Sequence, residues 1–481
     1  MAELYNDHKS MYIDGVWRAS NHQDLLDVIN PATGSAIAEL SYGGVDEAME
    51  AVEAAARAFG AWKLTTARTR ADMLLEASRM LLKRAEEIGY VLAVESGKRL
   101  AEAVGEIKFA AEYFRWFAEE ARRPEGAYIP NEVQNKRHWT RAQPAGVALC
   151  LTPWNFPVSI QARKLAPALA AGCTVVARPS QKAPLSVIEV FKCLEEAGFP
   201  HGVVNLIHGP AVSTTEAMMG HPAVRVVSFT GSTAVGQSLV KSSARQLQRL
   251  ALELGGNAPF IVFDDADVEK AVEGAMVAKF RNNGQSCIAA NRIYVHDSVY
   301  EEFVTRWAAT VSRMKLADPV TNPQSDLGPV IDDKARQQLR VLADEAIAGG
   351  ARPIHPKLQH PDDGFYLSPL LLENVPPDTT FARAELFGPM SPIFRFSDED
   401  EVIKLANDTD MGLAAYVYTN HAGRGARMTE ALEYGIVGWN NALPSVAFAP
   451  MGGWKQSGLG REGARIGMEE FQEVKYVSQE L

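Results

Sequence analysis

The segment RNNGQSCIAANR follows an apolar helical pattern and carries Cys287 in a Gly-Gln-Ser turn. A cysteine in a turn among polar neighbours suits nucleophilic catalysis when a base and an oxyanion donor stand close. Its thiolate attacks well and also leaves well. Asn155 is the candidate donor: LTPWNFPVSIQARK sets it at the end of a buried strand in a Pro-flanked turn. A neutral amide there stabilises an oxyanion without consuming a proton. Glu253 is the candidate base, in LELGGNAPF just before a double glycine, where a carboxylate can activate a cleft water. Taken singly, each has a plainer reading. Free cysteines commonly pack as small hydrophobes, and Asn in a turn or Glu beside Gly-Gly commonly serves turn geometry. Cys150, Cys173 and Cys193 fit that reading, each in an apolar strand or helix pattern.

The motifs PWNFP, FTGSTAVG, LELGGNAP, GQSC, ELFGP and KQSGLGREG occur in that order, and INPATG (29–34) precedes them. In this combination, over nearly the whole chain, the sequence resembles the aldehyde dehydrogenase superfamily. The resemblance implies an α/β fold with a Rossmann-like cofactor domain, an α/β catalytic domain and a small β oligomerisation arm. It implies that Cys287 attacks the aldehyde carbon, that the Asn155 side chain and the Cys287 N–H hold the oxyanion, and that hydride then leaves for the nicotinamide. Glu253 would activate water to hydrolyse the resulting thioester, and its presence favours hydrolysis over the CoA-acylating branch. The family's second cysteine of some members is here Ala289, so no disulfide next to the nucleophile is expected.

The usual GxGxxG fingerprint does not follow a strand here. Instead VRVVSF runs into Thr230-Gly231-Ser232-Thr233 and a helix. Gly231 allows a tight turn, and a helix N-terminus offers N–H groups and a favourable dipole to a pyrophosphate. Ser232 resembles the family's phosphate-binding serine. By the same resemblance Trp154 would line the adenine side, and Glu385 and Phe387 of ELFGP would hold the nicotinamide ribose and ring. In TVVARPSQKAP the family commonly has Lys where this chain has Arg178, and NAD-specific members have Glu where it has Gln181. With Ser180 and Lys182 beside them, and no carboxylate to repel a 2′-phosphate, these residues favour NADP, possible alongside NAD.

Arg163 and Arg281 stand where members acting on apolar aldehydes carry bulky apolar side chains. Two guanidinium groups near the aldehyde would bind an anionic tail. Ser445 in NALPSVAFAP matches the serine that contacts a distal carboxylate in the succinate-semialdehyde branch, which the chain resembles most. Succinate semialdehyde is therefore the expected substrate. Glutarate or 2-oxoglutarate semialdehyde, or a sulfonated or phosphonated aldehyde, would suit the same pocket, and Gln161 and Ala449 do not decide chain length. Arg292, at a strand start, reads as structural. A non-catalytic binding relative and a cofactor-free esterase are the readings from other classes; joint retention of Cys287, Glu253 and Asn155 counts against the first.

These residues need elements to hold them. Residues 46–122 carry three helical patterns, the middle one spanning 70–95, with the pairs Leu74/Leu75 and Leu81/Leu82 as core. Buried strands then alternate with helices (146–152, 174–178, 203–209, 224–230), the mark of a parallel sheet. A second α/β series begins near Asn257, with strands at 391–396, 414–419 and 435–441. The expected division is a dinucleotide-binding domain of 1–124 and 144–253, a catalytic domain of 254–434, and an oligomerisation arm of 125–143 and 467–481. Residues 435–466 would return to line the substrate pocket. The arm's hairpin would pair with the C-terminal strand of another subunit in a homodimer or homotetramer.

Composition bounds the rest. The 481 residues give room for two to four domains, and 48 Lys and Arg against 59 Asp and Glu give a net charge of −11. That balance argues against nucleic acid as a partner. Four unpatterned cysteines exclude a disulfide framework or cysteine zinc site, so no metal is expected. With no apolar leader and no apolar run long enough to span a bilayer, the chain reads as cytoplasmic.

Overall fold

The computed structural model describes residues 9–22, 24–123 and 126–481; the first residues and the boundary expected at 124/125 lie outside the described residues. One sheet has eight strands, in the order Val16–Arg18, Met11–Ile13, Val204–Leu206, Thr174–Arg178, Val147–Leu151, Val224–Thr230, Arg249–Glu253 and Gly458–Leu459. The five middle strands are parallel, and the edge strands join antiparallel. Val147–Leu151 is buried throughout, as a strand covered by helices on both faces must be. From it the chain moves outward through Thr174–Arg178 and Val204–Leu206, then returns to its other side with Val224–Thr230. That reversal opens a crevice at the carboxyl ends of Val147–Leu151 and Val224–Thr230, where open α/β sheets take ligands. The turns bearing Asn155 and Gly231 both leave from it.

The second sheet has seven strands: Arg352–Pro353, Leu370–Glu373, Met390–Phe396, Ala290–His296, Ala258–Val262, Ala414–Tyr418 and Ile436–Trp439. All neighbours are parallel except the first pair. Only residues 254–257 separate Arg249–Glu253 from Ala258–Val262. The carboxyl edge of the first sheet therefore faces the amino edge of the second. Ala290 pairs with Ala258 at that edge, which brings Cys287, just ahead of Ala290, back to Glu253. Gly256 makes the approach possible: a Cβ there would lie 2.3 Å from the Cys287 carbonyl oxygen.

The helical region holds four helices, Val45–Trp62, Ala67–Lys83, Ala85–Ser96 and Leu100–Glu120. The single helix expected over 70–95 is broken at Arg84, whose backbone leaves the helical region (φ −101°, ψ 14°). Its guanidinium pairs with Glu87 and Glu189. Neither Pro nor Gly marks the break, so the periodicity runs through it. Leu74 and Leu81 are buried, whereas Leu75 and Leu82 are 42% and 47% exposed, so one member of each pair faces the core. The strands Arg249–Glu253 and Leu370–Glu373 and the hairpin Leu25–Ile29/Ala36–Ser41 carry no strong pattern in the sequence. No helix among the described residues is long and apolar enough to cross a membrane.

The third sheet contains Gln472–Glu480, Lys136–Pro144 and Tyr128–Ile129. Here the expectation of pairing with another subunit's C-terminal strand is corrected. Gln472–Glu480 pairs antiparallel with Lys136–Pro144 of its own chain, from Gln472 opposite Pro144 to Glu480 opposite Lys136. The Ala145 N–H donates to the Phe471 carbonyl at 3.0 Å and sets this register from the base of the arm. Cys173 is also displaced from its expected element: it sits between the helix Pro157–Ala171 and the strand Thr174–Arg178, its thiol 3.2 Å from the Phe471 carbonyl oxygen.

Candidate active site

After the helix Val268–Phe280 the chain winds tightly before Cys287. Asn282, Asn283 and Gly284 take φ of 52°, 58° and 76°, left-handed values that Asn and Gly tolerate best. The two amides lock the loop. Asn282 Nδ2 donates to the carbonyls of Asn155 (2.8 Å) and Gln285 (3.0 Å). Asn283 Nδ2 donates to Pro329 O at 2.9 Å, and its Oδ1 accepts the Gly328 N–H at 2.8 Å. A Cβ on Gly284 would lie 2.2 Å from the Gly388 carbonyl oxygen, so glycine is required.

Asn155 is held from the other side. Lys98, fully buried, donates to the Asn155 carbonyl at 2.7 Å and pairs with buried Glu106 at 2.5 Å. The second Glu106 oxygen accepts the N–H groups of Val158 (3.0 Å) and Ser159 (3.1 Å), capping the helix Pro157–Ala171. The Asn155 Nδ2 donates to Gln285 O at 3.3 Å and retains a second hydrogen for another acceptor. Glu106→Ala should strand the Lys98 charge and two helix N–H groups. We expect a loss of about 3–5 kcal/mol in urea unfolding, partly recovered in Glu106→Gln; a loss below about 1 kcal/mol would contradict this role.

Glu253 ends its strand with Oε1 4.0 Å from the Cys287 sulfur. Its Oε2 accepts from the Thr230 hydroxyl at 3.2 Å and pairs with Arg163. Arg163 projects from the middle of the helix Pro157–Ala171, every residue of which is buried. Its Nε stands 2.6 Å from Glu462, which Lys164 also holds at 2.5 Å. Burial pushes the Glu253 carboxyl above its ordinary value, against the pull of Arg163. Burial, and then the Glu253 charge, push the Cys287 thiol well above the usual thiol range, with Arg163 opposing. The arrangement sets the Cys287 thiol beside a carboxyl group placed to exchange its proton.

A small cavity at the sulfur is lined by Phe156, Arg163, Arg281, Ser445 and Met451. It shares Phe109, Arg281 and Ser445 with an outer cavity of about 450 Å³. The three residues expected at the substrate tail thus come together beside Cys287, but in different states. Arg163 is engaged by two carboxylates. Arg281 stacks over the Phe156 ring at 4.9 Å and makes no ion pair among the described residues. Arg292 lies elsewhere, donating to Asn257 O, Ala406 O and Tyr434 Oη at 2.8–2.9 Å.

On the opposite side of Asn155 a cavity of about 550 Å³ lies over the crevice of the first sheet, walled by Arg178, Ser180, Gln181, Gly231, Val235 and Leu239. Apolar walls suit an adenine ring, and the helix Thr233–Ser243 aims its N-terminus at the opening. Ser232 caps that helix, its Oγ accepting the Val235 N–H at 3.4 Å. Gln181 Oε1 accepts from the Tyr42 hydroxyl at 2.9 Å. Lys182 pairs with Asp332 at 2.5 Å, while Arg178 donates through Nε to Gly209 O at 3.3 Å and makes no ion pair among the described residues. Trp154 packs edge-on against Phe387, ring centroids 5.4 Å apart, and the Lys182 ammonium lies over its ring at 5.6 Å. Glu385 accepts the Gly256 N–H at 3.1 Å, and burial raises it to about 7. These residues fit a nicotinamide dinucleotide laid across the crevice towards Cys287.

Sequence reasoning passed over Lys98, Glu106, Lys164 and Glu462. The available signal was an ionisable residue inside an otherwise apolar stretch, as in ARKLAPALAA, where a charge is tolerated in the core only when paired.

The fold and the cysteine–carboxylate pair suit aldehyde oxidation. The chain belongs to the aldehyde dehydrogenase family, whose family model matches residues 17–477. It is 46% identical over 466 residues to the 3-sulfolactaldehyde dehydrogenase of Pseudomonas putida, covering 97% of this chain and 96% of that one. It is 43% identical to the NADP-linked succinate-semialdehyde dehydrogenase GabD of Escherichia coli, covering 97% and 96%. Among solved structures, an NADP-dependent enzyme of E. coli is similar with a TM-score of 0.96 at 43% identity, covering 98% of each chain. The activity is that of an NAD(P)-linked aldehyde dehydrogenase.

Proposed function

We propose that the protein oxidises succinate semialdehyde to succinate, with NADP preferred and NAD accepted. The observation that carries this reading is the convergence of Arg163, Arg281 and Ser445 on the cavity beside the Cys287 sulfur. An aldehyde reaching that sulfur brings its far end among two guanidinium groups and a hydroxyl, which favours a short chain ending in an anion.

The steps follow from the residues. Glu253 takes the thiol proton across the 4.0 Å contact, and the sulfur adds to the aldehyde carbon. The Asn155 amide and the Cys287 N–H hold the oxyanion of the thiohemiacetal. The bound dinucleotide supplies a hydride acceptor. Glu253 gives that first proton up to solvent, then takes a proton from water as the hydroxide adds to the Cys287 thioester; when the acid leaves, the sulfur takes the proton back from Glu253.

Arg281→Ala should raise KM for succinate semialdehyde roughly 10–100-fold, the worth of one charge-assisted hydrogen bond, and barely change that for butanal. Equal losses on both aldehydes would dismiss the tail-binding role. A sulfonated aldehyde such as 3-sulfolactaldehyde is the second reading, favoured by the P. putida relative. Comparing kcat/KM across carboxylated, sulfonated and uncharged aldehydes with both dinucleotides ranks the two, and a preference for uncharged aldehydes would refute both.

For the cofactor, Arg178 and the neutral Gln181 support acceptance of a 2′-phosphate. Gln181→Glu should place a carboxylate there and cut NADP use about 100-fold, like-charge contacts costing several kcal/mol. NAD use should hold or improve, and an unchanged NADP-to-NAD ratio would reject the assignment. The exposed Val474 and Tyr476 on Gln472–Glu480 support self-association of the arm into a homodimer or homotetramer.

A further inference from the structure

We infer that Arg163 governs the general base: in the free protein it holds Glu253 as an ion pair, and an anionic substrate tail, by drawing the guanidinium to itself, releases Glu253 as a stronger base. The inference rests on the reading that the substrate carries an anion into the cavity beside Cys287.

The partners of Arg163 are unequal. Nη2 pairs with Glu253, and Nε lies 2.6 Å from Glu462. Nη1 meets the Met451 sulfur, a weak acceptor that lines the cavity. An arriving carboxylate or sulfonate therefore finds one edge of a charged guanidinium that, among the described residues, meets the Met451 thioether and the neutral Tyr113 hydroxyl but no anion. The guanidinium can turn towards that edge without leaving its place, because Glu462 anchors it through Nε.

Charge balance decides which existing bond weakens. The groups facing Glu253 are Arg163 and Lys164 from the helix Pro157–Ala171, Glu462 from the return segment, the Cys287 thiol and the Tyr113 hydroxyl. Two buried cations match two buried carboxylates, so a third anion must loosen one pair. Glu462 keeps Lys164 at 2.5 Å and the Ser228 hydroxyl at 3.1 Å. Among the described residues Glu253 keeps two neutral donors, the Thr230 hydroxyl at 3.2 Å and the Cys287 thiol at 4.0 Å, and no second cation within ion-pair distance. Glu253 is the carboxylate more weakly held without Arg163, so it is the one released.

The consequence is directional. A guanidinium beside a carboxylate lowers its proton affinity, and removing it raises that affinity. The released Glu253 then takes the Cys287 proton more readily: the S–H bond breaks, an O–H bond forms on the carboxylate, and no oxidation state changes. The same gain serves the later proton transfer from water. Tail recognition is thereby converted into kcat as well as affinity, so an aldehyde without an anion meets a weakened base.

Offering the substrate in two pieces separates these effects. With acetaldehyde as substrate, added acetate should raise the wild-type kcat several-fold along a saturating curve, against chloride at equal ionic strength. Arg163→Met should abolish that activation, raise the acetate-free rate several-fold at its pH plateau, and move the acid limb of the kcat–pH profile upward. Wild-type kcat indifferent to acetate overturns the inference, and that measurement stands even where the variant does not fold. A variant slower on acetaldehyde at every pH overturns it too. Arg163→Met with an unchanged KM for succinate semialdehyde would remove the tail-binding reading itself, and the inference with it; acetate indifference with a raised KM leaves that reading intact.

Discussion

Cys287→Ser is expected to abolish aldehyde oxidation, lowering kcat/KM by roughly 10⁴-fold or more, as removal of a nucleophile does. Serine keeps the size and the turn, so dinucleotide binding and thermal unfolding should stay near wild type. A serine hydroxyl is a far weaker acid than a thiol, so even the Glu253 carboxylate cannot ionise it, and this decides the outcome rather than geometry. The wild-type thiol provides a companion measurement. Burial and the Glu253 charge hold it well above the usual thiol range. Alkylation by iodoacetamide should therefore be slow at neutral pH and quicken as the pH rises. Rapid labelling of Cys287 at neutral pH, or a serine variant within tenfold of wild type, would refute its role as the nucleophile.

Glu253→Gln separates the two halves of the reaction. Without a base for water, steady-state kcat should fall about 10²–10⁴-fold. A burst of reduced dinucleotide near one equivalent should survive at high pH, where the thiol ionises unaided, and intact-protein mass spectrometry should show a succinyl adduct on Cys287. The substitution also removes the charge that raises the thiol, while Arg163, which lowers it, remains. The alkylation profile must then shift to lower pH. Loss of the burst at every pH with no adduct would place Glu253 outside deacylation. A burst with undiminished turnover would leave it without a role.

Much of this was legible in the sequence for a physical reason. Buried parallel strands read as unbroken apolar runs, so Val147–Leu151, Thr174–Arg178, Val224–Thr230 and Ala414–Tyr418 stand out along the chain. Asn155 stood out because it occupies a turn after the run Val147–Leu151, Cys287 because it occupies a turn after a helical pattern, and Glu253 because it stands just ahead of Gly255-Gly256. What stayed hidden depends on partners distant in sequence. The break at Arg84 is set by Glu189, the arm's register by Phe471, and the state of Arg163 by Glu253 and Glu462. The family resemblance pointed to two arginines where members acting on apolar aldehydes carry bulk. It could not show that one is bound to the catalytic carboxylate while the other stacks freely on Phe156.

Under the proposed tail-binding role of Arg281, the left-handed turn between Arg281 and Cys287 is a gauge of substrate length. Asn282 and Asn283 are pinned by main-chain partners on three other segments, at Asn155, Gly97 and Gly328–Pro329, and Gly284 admits no side chain. The span from the sulfur to the backbone that bears the Arg281 cation is therefore set by main chain, not by a yielding pocket wall. Trimming wall residues such as Phe109 or Met451 would make room for a bulkier aldehyde without moving the cation. A longer dicarboxylic semialdehyde would require the charge itself to be carried from another position, such as the outer cavity. Relatives that share this turn but differ in chain-length preference should differ in where their cations sit rather than in how wide their pockets are.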